Sequence, residues 1–81
     1  MAKKNAVIEA AEVHADRCIA AAQALEAEAK RLKDHAKSIR ENTRSGRLYT
    51  QWDIDNFAMH KAGNIEYASR QAIKLAEGKE V

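Results

Sequence analysis

The side chains best equipped for chemistry are a histidine and a cysteine four residues apart, His14 and Cys18. On a helix that spacing puts both on one face, where they could share a metal ion. A zinc site needs three or four protein ligands, and no second pair of the His-x-x-x-His kind occurs. His35 and His60 have no ligand partner at a useful spacing. No metal or other cofactor is expected, and Cys18 reads as a small residue in a helix seam. Catalysis has less support still. A nucleophile needs a base and an orienting group that converge in a pocket, and the carboxylates here fall on solvated faces. The chain is not expected to be an enzyme.

Two other groups of residues could recognise a partner. Lys30, Lys33, Lys37, Arg40 and Arg44 recur at three- and four-residue spacing, and Arg47 continues the stripe. Such a stripe can contact phosphates by charge alone. Against a nucleic-acid partner, the net charge is only +2, and Asp55 and Glu66 are expected to neutralise the stripe. The second group is apolar. Trp52 and Met59 lie seven apart, Gly63 follows one helical turn later, and Leu48 and Tyr49 precede them. Exposed Trp, Tyr and Met make surfaces that proteins grip.

The elements that must position these residues are helices. The first 42 residues contain neither Gly nor Pro and are rich in Ala, Glu, Lys, Gln and Arg, all strong helix formers. One seven-residue series reads Ile8, Ala15, Ala22, Ala29, Ala36, and a second reads Ala11, Cys18, Leu25, Leu32, Ile39. Both are wholly apolar, which predicts a first helix over about residues 4–42, seamed by alanine. Asn42-Thr43-Arg44-Ser45-Gly46 then gathers turn residues, with Gly46 suited to a left-handed position. Thr50 and Asp53 form a capping-box variant that opens a second helix, about 51–77, with a loop of about 43–50 between. Its apolar positions are Ile54, Phe57/Ala58, Ile65, Ala68, Ala72 and Leu75/Ala76, with Lys61 intruding and Gly78 ending the run.

So short a connection implies antiparallel neighbours in one domain spanning 1–81. The charges agree with that orientation. Residues 8–28 carry five acids against one base, and residues 29–47 carry seven bases against two acids. Folding back sets the acidic half of one helix beside the basic half of the other and suits both helix dipoles.

Size then asks for a partner. Of 81 residues, 17 are alanine, and only 13 Val, Ile or Leu and four aromatics remain to fill an interior. Domains this small usually add disulfides, metal or self-association. Cys18 is the only cysteine, which excludes an internal disulfide and fits a reducing, cytoplasmic setting. The N-terminal residues lack the apolar run of a secretory signal, and nothing approaches the ~18 apolar residues of a membrane span. The first helix should overhang the second by roughly 15 Å at 1.5 Å per residue. Val7, Ile8, Val13, Ile19, Ala20 and Ala24 make it apolar on more than one side, as self-association would require.

The expected architecture is therefore all-α: an antiparallel two-helix hairpin with an alanine-rich seam, dimerising into a four-helix bundle. The expected function is a non-enzymatic protein–protein interaction module, an adaptor, inhibitor or regulator of the kind phages and plasmids encode. Its homodimer would hold an unidentified protein through Leu48, Tyr49, Trp52, Met59 and Gly63. The alternative is a dimeric RNA- or DNA-binding regulator using the basic stripe. In architecture alone, that alternative resembles the plasmid copy-number regulators, which bind RNA as dimeric helical hairpins.

Overall fold

A computed structural model describes residues 5–79, so the expected helix start at Lys4 lies outside the described residues. Two helices pack against each other, α1 from Ala6–Arg44 and α2 from Gln51–Glu77, in a rod of 69 × 19 × 11 Å. No strand occurs among the described residues.

Local chemistry sets each helix end. The Asn5 side chain accepts a hydrogen bond from the Val7 amide at 3.2 Å. At the other end of α1 the chain turns over at Gly46, whose φ of +97° suits glycine. The Arg47 and Gly46 amides return to the Asn42 and Thr43 carbonyls, closing the helix with the paired bonds of a Schellman turn. The capping box at Thr50 is present in full. The Asp53 amide donates to Thr50 Oγ1 at 3.1 Å, and the Thr50 amide donates to Asp53 Oδ2 at 3.0 Å. Gly78 ends α2 at φ +79°, and a Cβ there would strike the Arg17 guanidinium. Arg17 thus lies over the C-terminus of α2, where the helix dipole favours a cation.

Contacts along the rod fix an antiparallel pairing. Arg17 meets Gly78, Ala21 and Leu25 line one groove with Ala72 and Ala76, and His35 packs on Phe57. The first eleven residues of α1 consequently have no length of α2 beside them.

The seam differs from the sequence expectation in its rotation about α1. Its buried and half-buried positions on α1 are Ala20, Ala21, Ala24, Glu28, Leu32, His35, Ile39 and Asn42, whereas Ile8, Ala15, Ala22, Ala29 and Ala36 are exposed. The alanine series lies one residue, about 100°, further round the helix. An aromatic clasp at the loop end accounts for the rotation. The Phe57 ring meets His35 edge-on at 5.3 Å and Tyr49 at 5.6 Å, and the Asn42 amide donates to the Tyr49 hydroxyl at 3.0 Å. With residues 35 and 42 turned to α2, residues 28 and 21 follow at seven-residue spacing. Alanine does line the seam at the far end, through Ala20, Ala21 and Ala24 against buried Ala68 and Ala72. Cys18 is exposed rather than seamed.

The expected pairing of charges across the helices is not made by direct contact. All four ion pairs among the described residues are local: Lys30–Asp34, Arg31–Glu28, Arg70–Glu66 and Lys79–Glu77. With α1 rotated as found, Glu12, Asp16, Glu26, Lys33, Lys37 and Arg40 all fall on its side away from α2.

The hairpin has almost no interior. Among the described residues only Ala68, Ala72 and Glu28 are buried, and no large side chain is fully enclosed.

Candidate interaction surfaces

The seam holds one feature that the sequence reading missed. Glu28 is 5% exposed in the seam of α1, one turn from Ala24 on one side and Leu32 on the other. Arg31 Nε donates to Oε1 at 3.0 Å and Arg31 Nη2 stands 3.0 Å from the same oxygen in an ion pair, while Oε2 has no partner. The signal was present in the sequence as a glutamate four residues from an apolar neighbour on either side, but a charge in that place reads as solvated.

Trp52 and Met59 lie seven residues apart on one line of α2, 72% and 64% exposed, and Leu48 is 90% exposed just before the helix. The Trp52 carbonyl accepts from the Asn56 side chain at 3.0 Å, a bond within its own helix. Gly63 is also exposed, with open space where a Cβ would stand, so no close approach requires it. Tyr49 stands apart from this group. It is half-buried in the clasp with Phe57, holds the Asn42 amide, and carries the Arg47 guanidinium 5.2 Å above its ring.

The basic stripe is partly divided. Lys30 is bound to Asp34 at 3.0 Å, and Arg47 is taken up by Tyr49. Lys33, Lys37, Arg40 and Arg44 line a shallow groove along α1 with Ala36 and Glu41. The expected neutralisation by Asp55 and Glu66 does not occur. Glu66 pairs with Arg70 at 2.7 Å, and Asp55 accepts from the Gln51 amide at 2.9 Å. Both carboxylates are satisfied within α2.

Val7, Ile8, Val13 and Ile19 are all exposed, while Ala20 and Ala24 are half-buried on the side that meets α2. His14 Nε2 and Cys18 Sγ are 3.4 Å apart on the exposed face of α1. No group of three or more His, Cys, Asp or Glu side chains that could hold a metal occurs among the described residues. Nor is any helix there long and apolar enough to cross a membrane.

No family model matches this chain, and neither a curated protein nor a solved structure is significantly similar to it.

Proposed function

We propose that the chain is a non-enzymatic protein–protein interaction module, an adaptor, inhibitor or regulator of the cytoplasm that works as a helical dimer. The observation that carries this reading is the exposure of Leu48, Trp52 and Met59 outside the hairpin seam. Large apolar groups left in water favour association, and a partner that covers them gains the burial energy, about 25 cal/mol per Å². Tyr49 supports the site from within the clasp. Trp52→Ala is expected to weaken partner binding by about 2 kcal/mol, as for a hot-spot tryptophan. Affinity capture with wild-type and variant protein measures this, with helicity and dimer fraction followed in parallel. A variant that retains its partner overturns the site, and one that loses its dimer makes Trp52 structural.

The free run of Lys33, Lys37, Arg40 and Arg44 favours a second reading, a dimeric RNA- or DNA-binding regulator. Under that reading, generic RNA or duplex DNA should shift in a gel at low salt. The affinity should fall steeply between 50 and 200 mM salt, as counterion release requires for about four phosphate contacts. No shift at 50 mM salt would remove nucleic acid as a partner.

A further inference from the structure

The exposed alanines of α1 do not stand alone. One open channel is lined by Ala21, Leu25, Ser69, Ala72, Ile73 and Ala76, and another by His35, Ile39, Ile54, Phe57, Ala58 and Lys61. Leu25, Leu32 and Ile39 recur every seven residues, so both channels open on one side of the hairpin. Ala22, Ala29 and Ala36 border that side on α1, with Ala58, Ala62 and Ile65 on α2, and all six are exposed. The opposite side carries Asp53, His60, Asn64, Tyr67, Gln71 and Lys74. One face of the hairpin is apolar and open, and the other is polar.

We infer that a second copy of this chain covers the apolar face, with the two α1 helices antiparallel along their exposed alanines and crossing near Leu25. This inference rests on the reading of the chain as a self-associating hairpin, and supplies the face and the register.

Three observations select that occupant. The first is area. The chain exposes 6481 Å², against roughly 4,900 Å² for a compact protein of its mass. The excess exceeds the about 800 Å² per partner that a standard stable interface covers. The second is fit. A crossing near Leu25 divides α1 at its midpoint, so the overhanging residues 6–16 of each copy lie along residues 35–45 of the other. Ile8 and Ala15 then face Thr43 and Ala36 of the second copy, and Ala22 faces Ala29. Alanines at 15, 22, 29 and 36 along the contact line permit close approach of the two backbones between its ends.

The third is charge. In this register the rim residues Glu12 and Arg40 meet Arg40 and Glu12 of the second copy, and further out Glu9 and Asp16 lie beside its Arg44 and Lys37. None of these six residues forms an ion pair within the hairpin. The division of α1 into an acidic and a basic half, unused against α2, is self-complementary about its centre. Glu26 is the exception, meeting its own counterpart on the solvated rim. A parallel arrangement would instead oppose like charges along the whole length.

Sedimentation equilibrium at micromolar concentration tests this. Wild type is expected to be dimeric, and Ala22→Glu and Ala29→Glu are each expected to raise the dissociation constant at least tenfold. Both residues are exposed outside the hairpin seam. Because a hairpin with so small a core can lose helicity when it dissociates, charge reversal on the rim provides a second measure. Glu12→Arg and Arg40→Glu should each weaken the dimer about fivefold, and the double variant should restore it. A monomeric wild type overturns both this inference and the self-association reading. A dimer indifferent to both glutamates overturns the face alone and leaves self-association standing. Failure of the double variant to recover overturns the antiparallel register.

Discussion

Truncating Phe57 to alanine is expected to cost about 2–3 kcal/mol, less than the full range for a buried phenylalanine because the ring is only half-covered. The ring meets both His35 and Tyr49, and each edge-on aromatic contact adds about 0.5–1.5 kcal/mol to simple burial. Its loss also removes what holds residues 35 and 42 toward α2. Thermal unfolding followed by circular dichroism measures the cost. A domain of this size loses about 4–8 °C of Tm per kcal/mol, so a shift of 10 °C or more is expected. A shift below 3 °C would mean that the clasp does not set the rotation of α1.

The second large effect runs the other way. Glu28→Leu is expected to raise stability by about 1–3 kcal/mol, because a buried carboxylate with one unpartnered oxygen is replaced by a side chain of similar volume. Arg31→Ala should destabilise the wild-type protein, since it leaves Glu28 buried with neither oxygen paired. The same substitution should be nearly neutral beside Glu28→Leu. The double-mutant cycle reports the coupling directly. If Glu28→Leu destabilises, the pair with Arg31 outweighs the desolvation of the carboxylate.

These residues also mark how far the sequence could be read. The α2 side of the seam was legible because Phe57, Ala68, Ala72 and Leu75/Ala76 are apolar at helical spacing; Lys61, which interrupts them, is half-buried there. Ile54, Ala58 and Ile65 lie at the exposed edge. On α1 the same method selected the wrong line by one residue. Three of the four seam positions at that spacing, Glu28, His35 and Asn42, are polar, while the neighbouring line is an unbroken run of alanine and isoleucine. Periodicity registers apolarity and not which apolar line meets which neighbour. Alanine, favourable to a helix whether buried or exposed, cannot resolve that choice. Of the candidate patch, Trp52 and Met59 are exposed as their spacing off the α2 seam implied, and Leu48, which precedes the helix, is exposed as well. Tyr49 is held by Asn42 and Phe57, contacts across the turn that no count within one helix reveals.

The clasp has a consequence for the order in which the chain folds. Its partners, Asn42, Tyr49 and Phe57, lie beside the Gly46 turn, so the first tertiary contacts close a loop of about ten residues, an event of roughly 10–100 ns. Each further pair of contacts lies one turn beyond the last, and every step adds little loop-closure entropy. The topology therefore favours zipping from the turn towards Gly78, where Arg17 lies over the end of α2. Residues 6–16 are left outside this sequence, since no part of α2 lies beside them. Under the inference drawn above, association with a second copy would be a bimolecular step, slow at low concentration, and would fall last. Such a chain would separate a fast search within itself from a slow one for its own kind, with protein concentration setting the rate of the second alone.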